Sequence, residues 1–424
     1  MADGISGWVK STFGVDPESY LVKAESAVAS AGETVISTAQ QVGEAAVATA
    51  EQTGEAVTRE AKAVGGAMAD GAKAAGRALG GAYDAAAFKA KHKLAESDVK
   101  KASGRVVPLG PPTDAKNQLN GLIGEMDAAS KAGNYATALQ KLEAAKAKAK
   151  IVLDAPDPAM QTPVAGTEPN TALYGKEKLP PNTGPNAPRD KTDVADTDIN
   201  QGTIGDCYVL STIGEIARIK PQLIKDMIHD NGDGTYTVTL HKQKTGMGYL
   251  YGKITGQEYE DVKVTVDGHF GSGGVNSLSD QGEKTTVEGG KHEIWVQVLE
   301  KAYAKLHGGY DKIADGGNAD EVMGELTGKK GTARSPKSVK VEELEADLAS
   351  GKPVVVGTPE EDDATTPFGL VGGHDYMLES IRTDPKTGKK FVKLRNPWGK
   401  DQPSEMPFDE MQKVTDEIDE GAAL

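Results

Sequence analysis

The chain holds one thiol in 424 residues, Cys207, in the run Gln201-Gly-Thr-Ile-Gly-Asp-Cys207-Tyr-Val-Leu. A single cysteine cannot close an internal disulfide. Free cysteines are mostly buried and inert, but the surroundings of this one favour reactivity. Gly205-Asp206 reads as a turn. Tyr208 to Ile219 reads as an apolar helix, with Leu210, Ile213, Ile216 and Ala217 at helical spacing, and Pro221 helps end it. Cys207 therefore falls on the first turn of a buried helix, where free N–H groups and the helix dipole favour an anion. A thiolate in such a place has a lowered pKa and is the nucleophilic form. Gln201 lies across the glycine-containing loop, and its amide and a helix-start N–H can together hold an oxyanion.

A thiol nucleophile needs a base, and the base needs an orienting group. Of seven histidines, His374 is the best placed, in Gly372-Gly373-His374-Asp375-Tyr376-Met377-Leu378. The two glycines permit close approach of another backbone. Tyr376, Leu378 and Ile381 read as a strand, Asp384 to Gly388 as a turn, and Phe391 to Leu394 as the returning strand, ending in Arg395-Asn396-Pro397-Trp398-Gly399. This hairpin predicts His374 and Asn396 nearly opposite each other, with Cβ atoms about 5 Å apart, so that the Asn oxygen accepts from the imidazole. Asp375, the rival orienter, points to the other face of the strand. His229, His241, His292 and His307 read as structural or solvent-facing.

These blocks resemble those of the calpain-like cysteine peptidases, a papain-like family, in its compact microbial form. Gln201 to Cys207 is similar to the family's nucleophile motif, Gly369 to Tyr376 to its histidine motif, and Arg395 to Gly399 to its asparagine motif. Glu293 to Gly308 resembles its central helix, and Val264 to Asp267 the strand before it. The resemblance implies Cys207 as nucleophile, His374 as general base and then acid, Asn396 as the residue orienting the imidazole, and Gln201 as oxyanion donor. It implies that Trp398 shields the His–Asn contact, with Gly373 and Gly205 at the substrate cleft. The implied chemistry is peptide hydrolysis through an acyl-enzyme, with protein substrates and no cofactor in the chemistry itself. The same triad also runs acyl transfer to an amine. The family binds calcium in its protease core. Asp198 and Glu293 match ligands of one such site, and in a chain this acidic they read equally as solvated surface groups. Tyr208 stands where the family commonly has Trp. The segment Lys400 to Met406 is short for the family's second calcium site, with Asp401 and Glu405 as remnants.

The elements that must position these residues make an α+β fold, a papain-like two-lobed protease domain over residues 193–424, preceded by an all-α N-terminal region. The helical lobe carries Cys207, and the β-rich lobe carries His374 and Asn396. Residues 1–105 form an Ala/Gly-rich leader whose helices bury little area per turn and need a partner. Gly65, Gly66, Gly71, Gly76, Gly80 and Gly81 suit close helix contact, so a protein or membrane partner is a candidate for this segment. Residues 106–153 read as a helical hairpin, capped at Thr113-Asp114 and broken at Gly133-Asn134. Residues 154–192 are Pro/Thr/Asn-rich, a linker or an inhibitory pro-segment.

A net charge of −15 and a pI near 5.1 argue against nucleic acid as a partner. No apolar run is long enough to span a membrane. The start has no basic region followed by an apolar one, so the expected location is cytoplasmic, or outside by a route without a classical signal. The alternative reading is an interaction protein or delivered effector, with the N-terminal region as its working part and the protease domain serving self-processing.

Overall fold

The structure is a computed structural model and describes residues 81, 84–167, 171–174, 194–277, 292–360 and 367–424. Most of the leader and residues 175–192 of the Pro-rich stretch, with the readings placed on them, lie outside the described residues. The chain divides into two compact units, one of residues 1–103 and 115–151, the other of 104–114 and 152–424.

The described part of the first unit is helical. A helix over residues 84–104 joins the hairpin of Pro111–Lys131 and Tyr135–Asp154. Ala87, Phe88, Ala95 and Val99 of the first helix are buried, as are Leu119, Met126, Ala138, Leu142 and Ala145 of the hairpin. The rings of Phe88 and Tyr135 approach to 6.0 Å between centroids. The end of the leader thus has the partner that its small residues require. The hairpin begins two residues earlier than the expected Thr113-Asp114 cap. Pro111 and Pro112 occupy its first turn, where a fixed φ is an advantage, and the Thr113 hydroxyl donates back to the Pro108 carbonyl. Gly133 takes a positive φ of 73°, and Asn134 Oδ1 accepts from Thr137 N–H to start the second helix.

The second unit is α+β. Its helical side is built on Cys207–Ile219 and Trp295–His307, with the shorter helices Pro221–Met227 and Ala319–Thr327. Pro221 therefore opens a new helix as well as following the old one. A three-stranded antiparallel sheet, Ile228–Asp230, Thr235–Gln243 and Tyr259–Asp267, covers this side. Lys301 Nζ on the central helix meets Asp267 Oδ1 at 2.6 Å to tie the two together. The β-rich side is a six-stranded antiparallel sheet in the order Met406–Pro407, Lys390–Arg395, Asp375–Thr383, Val354–Gly357, Glu417–Glu420, Thr332–Arg334.

The strand Asp375–Thr383 is buried on both faces over Tyr376, Met377 and Leu378. Tyr376 and Leu378 enter a core with Leu344, Val392, Leu394 and Met411. Met377 faces the other way, onto Gly214 of the Cys207 helix. Alternation along the strand therefore turns Asp375 toward that helix as well. Packing on both sides explains why the Cys207 helix is buried all round, Val209 to Ala217, including Ser211, Thr212 and Glu215.

Part of the stretch read as linker packs on this unit. Pro158 and Ala159 are buried, Val164 N–H donates to Asp267 Oδ2, and Thr171–Ala172 pairs in parallel with His292–Glu293. Its prolines suit edge and turn positions, and Ala155, Pro158 and Ala159 are buried there while Met160 and Val164 stay exposed.

Gly202, between the short strand Ile199–Asn200 and the Cys207 helix, lies on the backbone of Gly273 and Gly274. A Cβ there would meet the Gly274 carbonyl oxygen at 2.1 Å. Gly202→Ala is expected to lower stability by about 1–3 kcal/mol, the usual range for overpacking, read as a fall in the urea midpoint. An unchanged midpoint would mean that this contact is not close in solution.

Candidate active site

Cys207 is the first residue of its helix, and Asp206 is the N-cap. Both are buried, and so is Gln201. The loop that delivers them is held by backbone bonds: Gly205 N–H to the Ala314 carbonyl, Gly316 N–H to the Gly205 carbonyl, and Thr203 N–H to the Gly273 carbonyl. Gly205 thus abuts the backbone at Ala314 while remaining exposed on its other side.

The second half of the site follows the two central strands of the sheet. His374 Nε2 lies 2.9 Å from Asn396 Oδ1, and the Trp398 ring centroid lies 4.7 Å from that of His374. Asn396 Oδ1 also accepts from the Trp398 N–H at 3.0 Å. An oxygen taking two hydrogen bonds requires Nε2 to carry the imidazole proton, which leaves Nδ1 as the basic nitrogen. Asn396 is fully buried and fixed from behind. Its N–H donates to Gln402 Oε1 at 2.9 Å, and Gln402 Nε2 donates back to its carbonyl at 3.2 Å. Gln402 carried no motif signal, only its nearness in sequence. Burial lowers the His374 pKa from its ordinary value, with the Asn396 bond acting in the opposite sense.

The expected His–Asn contact forms, but not by the expected register. Met377 pairs with Arg395, so continuing the ladder sets His374 opposite Trp398, and both His374 and Asn396 lie just beyond the strand ends. The Asn side chain reaches the imidazole from a neighbouring position. Gly373, at a positive φ of 60°, is exposed beside them, and its N–H donates to the Pro359 carbonyl. The two halves meet where Gln201 N–H donates to the Pro397 carbonyl at 2.9 Å and Ser211 Oγ to the Asp375 carbonyl at 2.9 Å.

Three features depart from the sequence reading. The acceptor facing the thiol is Asp375 Oδ2, 4.0 Å from Cys207 Sγ, and among the described residues no hydrogen bond joins His374 to Cys207. The thiol pKa is raised, not lowered. Burial is the largest cause, and the charges of Asp375 and then Asp206 add to it, pushing the thiol up to about 12. Two carboxylates and desolvation outweigh a helix dipole of about half a charge. Finally, both Gln201 Nε2 hydrogens are engaged, with the Ile204 carbonyl at 2.8 Å and Asp206 Oδ1 at 3.2 Å.

Asp206 rests on a second buried carboxyl, Glu300 of the central helix, whose Oε1 accepts the Val275 N–H at 2.7 Å. Burial raises both, Asp206 to about 7 and Glu300 well above its ordinary value.

For calcium, Asp198 Oδ2 accepts the backbone N–H of Ala195 at 2.8 Å and the indole Nε1–H of Trp295 at 3.0 Å, and Glu293 lies on the short strand beside Ala172. Among the described residues, no three His, Cys, Asp or Glu side chains are placed to hold a metal ion. No described helix is long and apolar enough to cross a membrane.

A family model described as "Calpain family cysteine protease" matches residues 186–412. The chain is 32% identical over 226 residues to the calpain-type cysteine protease ADL1 of Oryza sativa subsp. japonica, covering 48% of this chain and 9% of that protein. It is 30% identical over 215 residues to calpain-9 of Homo sapiens, covering 48% of this chain and 28% of that protein. The match therefore spans well under a third of either relative.

Replacing Asp375 by Asn removes a negative charge next to the thiol, which favours the thiolate and lowers its pKa. The midpoint of iodoacetamide alkylation is expected to fall by about one pH unit. Cys207 is the sole thiol, so total labelling reports it directly. An unmoved midpoint would show that the thiol does not sense Asp375.

Proposed function

The chain belongs to the calpain family of cysteine proteases, and from that premise we propose that it is a cysteine endopeptidase working through Cys207, His374 and Asn396. The observation that carries the assignment is the 2.9 Å contact of His374 Nε2 with Asn396 Oδ1 under the Trp398 ring. It leaves Nδ1 as the base, on the sheet that packs against the helix opening with Cys207. Trp398 keeps water from a hydrogen bond whose value depends on a dry site.

The thiol at rest is protonated, so attack and proton transfer are coupled. As Cys207 Sγ attacks the peptide carbonyl carbon, its proton passes to His374 Nδ1, and the carbonyl oxygen takes up the negative charge. The helix-start N–H and the Gln201 amide are the donors to that oxyanion. For Gln201 this requires one N–H to leave Ile204 or Asp206. Collapse expels the amine, which takes the proton from His374, and leaves a thioester. Water, deprotonated by the same imidazole, then releases the acid and restores the thiol. Gly373 and Gly205 flank the cleft for the substrate backbone. Calcium enters only as a candidate activator through Asp198 and Glu293, and no step is routed through it.

Casein cleavage by wild type, Cys207→Ala and His374→Ala, each with calcium and with a chelator, tests this reading. Wild type is expected to cut, Cys207→Ala to be inactive, and His374→Ala to fall by about a thousandfold or more. Full activity in Cys207→Ala overturns the mechanism. A chelator that leaves the rate unchanged removes calcium from it.

A further inference from the structure

We propose that Asp375, Asp416 and Glu417, with Asp419 beneath them, form a subsite beside Cys207 that binds a lysine or arginine side chain of the substrate. The proposal rests on the peptidase reading and names a substrate class for it.

The geometry comes from three adjacent strands. Asp375 pairs with Gly357, and Gly357 pairs with Glu417 on its other side. The row therefore reads acid, glycine, acid, and the glycine leaves the space between them without a side chain. A Cβ on Gly357 would lie 2.9 Å from Asp375 Oδ1 and 3.7 Å from Asp416 Oδ1, so oxygens from two segments converge over one gap. The other oxygen of Asp375 is the one 4.0 Å from the thiol. One row along the sheet lies Asp419, 2% exposed, whose Oδ1 is buried without a hydrogen-bond partner. It interacts electrostatically with Asp375, Glu417 and Asp320. Asp416 is exposed, Glu417 and Asp375 are half-buried, and Asp419 is buried. The acids thus lead from solvent toward the nucleophile.

These groups lack a counter-charge. Among the described residues, no Lys, Arg or His forms an ion pair with Asp375, Asp416, Glu417 or Asp419. Burial first and mutual repulsion second raise Asp375 to about 7 and Asp419 to about 8. A half-buried run of carboxylates without a cation is unfavourable until one arrives. The spacing does not bring three of them together as metal ligands. A guanidinium or ammonium on a flexible stem can reach the gap and bond to oxygens on both sides. The same cation would offset the charge that holds the thiol protonated, so a basic substrate would help to activate its own nucleophile.

The test walks one arginine through the positions flanking the scissile bond of a fluorogenic peptide, each peptide paired with its citrulline counterpart. Citrulline keeps the shape and removes the charge. At one position, wild type is expected to favour arginine by about ten- to a hundredfold in kcat/KM, the worth of a hydrogen bond to a charged group. Both Asp375→Asn and Glu417→Gln, which keep side-chain shape, should shrink that ratio toward one. A second arm follows iodoacetamide labelling of Cys207 with agmatine or the neutral N-butylurea. Agmatine should change the rate in wild type and not in Glu417→Gln, and N-butylurea should change neither. If no peptide is cut by wild type, the peptidase reading fails and the labelling arm decides the subsite. If arginine and citrulline peptides are cut alike at every position, or the preference survives both substitutions, the subsite is overturned while the peptidase stands.

Discussion

Burying the first turn of the Cys207 helix is the constraint on which the rest of the second unit depends. A helix start carries free N–H groups and must be satisfied when it leaves water. Here the N-cap Asp206 is fully buried, and a lone carboxylate in that place would be costly. Gln201 Nε2 donates to Asp206 Oδ1 at 3.2 Å, and burial raises the Asp206 and Glu300 carboxyls alike, which favours their neutral forms. Glu300 in turn takes the Val275 N–H, which fixes the loop that Gly202 packs on. Cys207, Gln201 and the central helix are thereby tied to one buried polar network, whose members depend on one another.

The sheet supplies the complementary half by rigidity rather than by strength. Asn396 is held by Gln402 through its own backbone and spends its side-chain oxygen on both His374 and the Trp398 N–H. That double use sets the tautomer of the imidazole, and with it the nitrogen available for proton transfer. The halves are joined by a backbone bond from Gln201 to Pro397, the Ser211 hydroxyl on the Asp375 carbonyl, the Val354 N–H on Glu215, Arg395 against Asp196 at 3.4 Å, and the packing of Met377 onto Gly214. The Cys207 helix and the sheet are thereby held as one packed body around the site.

Electrostatics at the thiol is decided by which effect is larger. The helix dipole and a backbone N–H favour the thiolate, but desolvation and two carboxylates oppose them, and the opposition wins. Reading the helix start alone therefore leads to the wrong resting state. Asp375 turns away from the face of His374, as strand alternation requires. What one strand cannot reveal is that its opposite face receives the Cys207 helix, as Met377 on Gly214 makes plain.

Much of the site was nonetheless legible in the chain. Cys207 at a helix start, the strands around Asp384–Gly388 and the His374–Asn396 contact follow from periodicity and turn chemistry. Those are local properties, carried by residues a few positions apart. The sequence by itself determined which groups are available to react and the order of the elements that present them. Only the tertiary structure decided the hairpin register beyond the strand ends, the service of Gln402, the engagement of the Gln201 amide, and the acidic surroundings of the thiol. The Gln201 and Gln402 contacts are short in sequence but depend on loop conformations that the packing sets, and the acidic surroundings of the thiol arise between segments far apart in the chain, where burial removes water and brings charges together.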